Sequence, residues 1–257
     1  CCGDTMKKAV QKCPIAATLV WFFYAVTTVL LSILISWALY SQANYGYGFW
    51  YQQLDIGAHI QEYGPQNRFR TGFEQLPAAQ HRLAFEQIRD AVHSHGEGLA
   101  TITYTPPGRA AVPLLHDAEV RHLQDVADLI DAGRWLMLAL ALLCLPLALL
   151  CIRLGIPSMA SRIGITVFGL GAVIAWLAIA GPTQVFYQFH LWLFPAENQW
   201  FFYWEDSLMS TLMKAPVLFG GIAVVIALGA LLLVPVLYWL GLRLSKKIVK
   251  QESGHGH

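Results

Sequence analysis

Two histidines stand where an imidazole could move protons. In HDAEVRHLQDV, His122 lies three residues after Glu119 and three before Asp125. On a helix that spacing puts both carboxylates on the imidazole's side, where either can fix its tautomer and raise its basicity. A solvated helix face with ordinary charge pairs, such as Arg121 with Asp125, accounts for the same spacing. His190 follows VFYQF and opens onto FHLWLFPAENQWFFYWED, residues 189–206. Imidazole accepts and releases a proton near pH 7, so the chemistry such a pair offers is general acid–base catalysis. The plainer account is an interfacial histidine in an aromatic belt, to which Trp192, Trp200, Tyr203 and Trp204 are suited. Glu197, Asn198, Glu205 and Asp206 read as loop polarity, with Asp206 placed to cap a short helix SLMSTLMK.

The elements that must position these residues belong to a membrane. Of 257 residues, 56% are hydrophobic and 13% charged, about half the charge of a soluble domain. Four apolar runs match the ~20 residues that span a ~30 Å hydrocarbon layer: 14–40, 135–152, 163–181 and 215–240. Pro146 interrupts the second, which neighbouring spans can accommodate. MKKAVQK precedes the first run, Arg153 and Arg162 flank the link 153–162, and RLSKKIVK follows the fourth. With these cations on the cytoplasmic side, the N-terminus (1–13) and the tail (241–257) are inside. The segments 41–134 and 182–214 then lie outside. The first run is too long for the core of a cleaved signal peptide. Lipidation of Cys1 conflicts with an inside N-terminus.

The cysteines are Cys1, Cys2, Cys13, Cys144 and Cys151, so neither external segment contains one. Seven helical residues separate the last two by about 10 Å, too far for a disulfide. The outer domain is thus held by packing, and cysteine-based metal chemistry is excluded there. No span holds a histidine in its interior, which argues against bis-histidine haem.

Within the first external segment, the aromatic residues of SQANYGYGFWYQQLDIGAHIQEYG suit an outer interface. Leu83, Phe85, Ile88 and Val92 mark a helix that ends at Gly96 and Gly98, and LATITYTPPGR reads as a short strand and turn. Asp117 is placed to cap a helix whose stripe is Val120, Leu123, Val126, Leu129 and Ile130 and which runs toward the second span. Gly171 and Ala175, four apart in the third span, allow close helix approach.

EVRHLQDV, followed about seventy residues later by FHLWLFPAENQW and EDSLM on the same face, resembles the bacterial lipoprotein intramolecular transacylases. The likeness rests on those two motifs and, in layout, covers residues 20–240. It implies an all-α, four-span protein of the bacterial inner (cytoplasmic) membrane, with a mostly helical extracytoplasmic domain between spans 1 and 2. It also implies a reaction without cofactor or metal, in which the sn-2 acyl chain of a diacylglyceryl-cysteine passes to the α-amine of that cysteine. The family's two essential histidines match His122 and His190. The mechanism then expected has His122 accepting the amine proton, oriented by Asp125 or Glu119. His190 protonates the leaving oxygen, or the two roles are reversed. Asn198, Gln199 and the Trp200 indole are candidate oxyanion donors or substrate contacts. The substrate is a lipoprotein or membrane lipid, and no feature suggests nucleic acid.

Three other readings compete. An accessory subunit docked on partner subunits of a membrane complex would hold the two histidine rings well beyond about 8 Å apart. A metal-binding protein would use His81, His93, His95 or His116, although the His-x-His of HSHGEG is a weak signal. A serine hydrolase lacks its Gly-x-Ser-x-Gly turn, and Ser207 and Ser210 have no neighbouring base in sequence. Histidines at 81, 93, 95 and 116 and in the terminal GHGH, and the acidic residue of PAENQW, depart from what the family's chemistry needs.

Overall fold

A computed structural model describes residues 14–195 and 197–254. The expected cytoplasmic N-terminus (1–13) with its three cysteines, and the tail histidines His255 and His257, lie outside the described residues. Among the described residues, four helices are long and apolar enough to cross a membrane. They are α1 (Pro14–Gln42), α5 (Asp117–Leu154), α6 (Met159–Ala180) and α9 (Val217–Gly254). Between α1 and α5 lie α2 (Tyr47–Gln53), α3 (Ile56–Tyr63) and α4 (Ala78–His93). A two-residue antiparallel ladder follows, pairing β1 (Thr103–Tyr104) with β2 (Val112–Pro113). Between α6 and α9 lie α7 (Pro182–Leu193) and α8 (Leu208–Leu212).

The cap helix and second span expected as neighbours are one continuous helix. Pro146 lies inside α5 without ending it. Its long apolar run starts at Trp135, so residues 117–134 form a more polar helical extension on which His122 sits. At 1.5 Å per residue, His122 is about 20 Å along the axis from that boundary, outside the apolar run.

The start of α5 corrects the expected cap. Asp117 is the first helical residue, and His116 is the cap: its Nδ1 accepts from Ala118 N–H at 3.2 Å. Three residues on, Glu119 Oε2 accepts His116's own N–H at 2.7 Å, closing a reciprocal capping box. Likewise Ser207, not Asp206, caps α8, its Oγ accepting from Ser210 N–H at 2.9 Å. A hydroxyl at that position points back into the first turn, whereas Asp206 is drawn into an ion pair with Arg68 at 3.1 Å.

The chain divides into two compact units. The first comprises residues 14–32, Leu138–Ile174 and residues 231–254. Its core is Trp21, Tyr24, Ala148 and Cys151, with Trp21 Nε1 donating to Tyr238 Oη at 2.9 Å. Tyr24 Oη donates to the Tyr238 carbonyl at 2.7 Å, and Gly241 admits that phenol because any Cβ there would overlap it.

The second unit is Ile33–Met137 with Ala175–Ala230. Its core joins Tyr47, Ile56, Phe73, Phe85, Leu123 and Leu212, among others. Tyr47 was expected at an interface and is instead fully buried, stacked on Phe85 at 3.9 Å. Its hydroxyl donates to the Leu212 carbonyl at 2.7 Å. The polar tip that suits tyrosine to a membrane edge is thus satisfied inside, and burying the ring contributes about 2 kcal/mol. This unit contains no cysteine.

Candidate active site

The two histidines lie in the second unit, one on α5 and one on α7. A glycine sets the direction of α7: Gly181, between α6 and α7, has φ 78° and ψ 153°, a conformation open only to glycine. From there α7 carries His190 in its last turn. The imidazoles of His122 and His190 are 6.4 Å apart, centre to centre, with planes 30° apart. The wide separation that marks a docking subunit is therefore not found.

The surrounding walls are aromatic. Phe194 lies 5.0 Å from His122 and 5.2 Å from His190. Phe186 is 4.1 Å from His190, and Phe202 6.0 Å from His122. Trp200, which the sequence assigned to a belt with Trp192, Tyr203 and Trp204, stacks on His190 at 4.8 Å. Trp204 packs instead on His59 at 4.5 Å.

His122 is 8% exposed. Its Nδ1 is buried without a hydrogen-bond partner among the described residues. Such orphaned nitrogens are rare because each forfeits its solvation, and they are a known mark of catalytic groups. Burial and, secondarily, the neighbouring His190 push the His122 pKa down to about 4. The ring is neutral at pH 7.

His190 is anchored. Its Nδ1 donates to the Phe186 carbonyl at 2.8 Å, and a carbonyl can only accept, so Nδ1 carries the proton and Nε2 the lone pair. Burial lowers its pKa, and the bond to Phe186 opposes that shift. Its place at the C-terminus of α7 also favours the protonated form.

The supporting residues do other work than expected. Neither Glu119 nor Asp125 hydrogen-bonds His122 among the described residues, because each carboxylate is held by a long-range partner. Asp125 receives the Asn198 amide at 3.0 and 2.8 Å on its two oxygens. That bond ties the loop after α7 to α5, and it occupies the amide hydrogens that Asn198 would need as an oxyanion donor. Glu119, 1% exposed, accepts from Ser207 Oγ at 2.5 Å and from Met209 N–H at 3.1 Å. Gln199 is exposed and donates to the Phe201 carbonyl at 3.1 Å. Of the three candidate oxyanion donors, only the Trp200 indole N–H keeps no hydrogen bond among the described residues, and it lies against His190.

The histidines of the metal reading are engaged separately. His81 Nε2 donates to the Phe73 carbonyl at 2.9 Å, and His93 bonds Tyr45 at 2.8 Å. His95 meets Asp131 at 2.5 Å, and His116 Nε2 donates to the Asp206 carbonyl at 3.1 Å. Among the described residues no three His, Cys, Asp or Glu side chains converge as metal ligands. Ser207, the hydrolase candidate, is bound to Glu119 and caps α8.

The depressed His122 pKa has a consequence for stability. Unfolded, the ring returns to its ordinary 6.5, so between pH 6.5 and about 4 the unfolded chain binds a proton that the folded chain refuses. The stability from this group is full above 6.5 and falls as pH drops toward about 4. The thermal unfolding temperature of detergent-solubilised protein is expected to fall across that window, and less steeply in His122→Asn. Equal slopes in both proteins would show that the ring is not buried neutral.

A profile of the lipoprotein intramolecular transacylase (Lit) family matches residues 15–215. Among solved structures, the chain is similar to the membrane-integral lipoprotein intramolecular transacylase of Bacillus cereus in a histidine-to-arginine variant. The similarity has a TM-score of 0.55 at 17% identity, covering 92% of this chain and 94% of that one. No curated protein matches.

Proposed function

The chain belongs to the lipoprotein intramolecular transacylase family, and from that premise we propose that His122 and His190 carry the acyl transfer. The substrate is a lipoprotein whose N-terminal cysteine bears a diacylglyceryl group. The sn-2 acyl chain moves from the glyceryl oxygen to the cysteine α-amine and leaves the lyso form. A C–N bond forms, a C–O bond breaks, and one proton passes from nitrogen to the departing oxygen.

The observation that carries this reading is the 6.4 Å pair of imidazoles within aromatic walls. An α-amine of pKa near 8 is largely protonated at neutral pH, so aminolysis needs a base. His190 is the better one. Its Nε2 lone pair is fixed by the Phe186 bond, and its protonated form is the more readily accommodated of the two. His122, neutral down to about pH 4, serves as the hydrogen-bond donor to the ester carbonyl oxygen as it gathers charge, and protonated His190 passes the amine proton to the departing glyceryl oxygen. The Trp200 indole N–H supplements His122. Amine and ester sit in one molecule, so positioning supplies several kcal/mol without a second substrate. Phe186, Phe194 and Phe202 keep water from competing for the acyl group. Asp125, through Asn198, holds the loop that brings Trp200 to His190.

The protein is integral to the membrane. We place it in the inner membrane of a bacterium with both termini in the cytoplasm, so that the histidines face outward, where lipoproteins mature. Support comes from the Lys and Arg at the expected inner ends of the spans.

Purified protein incubated with a diacylglyceryl-cysteinyl peptide tests the reading. Transfer within one molecule leaves its mass unchanged, blocks the amine to labelling, and gives an N-acyl-cysteine fragment by mass spectrometry. Release of free fatty acid with the amine still reactive would make the protein a hydrolase and sink the proposal.

A further inference from the structure

Away from the histidines, two adjoining hollows of about 220 and 200 Å³ open in the second unit and share Thr71, Pro106 and Arg109. We infer that this groove receives the peptide that follows the acylated cysteine of the lipoprotein, an inference that rests on the transacylase reading.

The polar groups of the groove match a peptide backbone. Arg109 donates through Nη1 to Thr71 Oγ1 at 2.8 Å, and a guanidinium has further N–H groups to offer. Glu74, lining the same hollow, has a buried Oε2 with no hydrogen-bond partner among the described residues. One ligand that presents both C=O and N–H satisfies the two together, and a peptide backbone is that ligand. An acyl chain satisfies neither. An anionic headgroup would suit Arg109 and set its charge beside the Glu74 carboxylate.

The walls are preformed. Arg70 is held by the carbonyls of Pro113, Phe69 and Leu115 at 2.6, 2.9 and 3.0 Å. Gly72 adopts φ +80°, and a Cβ there would meet Pro106 at 2.9 Å, so the turn at the groove depends on glycine. A rigid groove loses little entropy on binding.

Phe69, which lines the second hollow, also connects the groove to the reaction site. Its ring is 5.0 Å from His116, which is 5.9 Å from Phe202, which is 6.0 Å from His122. An extended peptide rises ~3.3 Å per residue, so about five residues lead from a cysteine at the histidines to Phe69, and the next few fill the hollows.

The test uses full-length protein in lipid nanodiscs, with His122→Ala to prevent turnover. It is titrated with fluorescent diacylglyceryl-cysteine amide and with the same lipid bearing two or ten further residues. The ten-residue probe is expected to bind about tenfold more tightly than the amide, with two residues adding little. Arg109→Ala or Glu74→Ala should remove that margin and leave amide binding unchanged, which also shows that the variants fold. Equal affinity at all lengths overturns the inference, as does an equal loss for amide and peptide. An Arg109-dependent affinity displaced by phosphatidylglycerol and indifferent to peptide length overturns it in favour of a lipid headgroup. Turnover of the same probes by the wild type is read separately. Conversion without a length margin sinks the groove alone, and a margin without conversion sinks the transacylase reading alone.

Discussion

Alanine at either His122 or His190 is expected to lower lyso-lipoprotein formation by roughly a hundredfold to ten-thousandfold, the range over which positioned acids and bases act. The measurement is mass spectrometry of lipoprotein N-termini from cells that express each variant in place of the wild type. The two losses should not multiply, because both rings act on one transition state, His190 on the proton in transit and His122 on the oxygen that gathers charge. The variants should also differ. Exogenous imidazole can replace a lost base more readily than a buried donor, so His190→Ala is the variant it should partly rescue. Thermal unfolding separates lost chemistry from lost fold: His190 is only partly buried, and its removal should leave the unfolding temperature near that of the wild type. Unchanged lyso product from both variants would remove the mechanism altogether.

The second large effect falls on stability. Glu119→Ala is expected to destabilise the protein by about 3 kcal/mol or more, since each buried donor left without its acceptor costs about 1–3 kcal/mol. The carboxylate accepts from Ser207 Oγ, from Met209 N–H and from His116 N–H, so it binds the start of α5 to the start of α8. Its loss leaves three donors without an acceptor, two of them backbone groups that cannot turn away. Glu119→Gln keeps the shape and one acceptor oxygen and should recover only part of the deficit. The checks are thermal unfolding in detergent and the rate of proteolysis. A Glu119→Ala protein as stable as the wild type would show that the clamp contributes nothing. Ser207→Ala should reproduce a smaller share of the loss, since it removes one bond to Glu119 and the cap of α8.

The sequence made some of this plain and hid the rest for physical reasons. Spans are legible because a hydrocarbon layer imposes one length and one polarity, and α1, α6 and α9 begin or end within a few residues of their apolar runs. His122 and His190 stood out by residue type and by family resemblance, and the fold brings their rings to 6.4 Å. What tied them down was not. Periodicity reports neighbours within a turn or two of helix, so Glu119 and Asp125 looked like partners of His122. Their actual partners, Ser207 and Asn198, are 88 and 73 residues away, a range at which spacing carries no signal. Tyr47 misled for a related reason: an amphipathic ring fits a membrane edge or a core with a spare carbonyl, and Leu212 supplies the carbonyl. His116 was read as a possible metal ligand because its role as a cap needs only a ring nitrogen, which few sequence rules anticipate. Trp200 was read both as belt and as a candidate oxyanion donor, because nothing local shows that it stacks on His190.

The unit that holds both histidines has no cysteine, and its folding therefore asks nothing of the oxidising or reducing state around it. Oxidants, disulfide isomerases and reductants such as dithiothreitol should all leave its maturation untouched. The same scaffold can then serve cells that live with oxygen and cells that live without it.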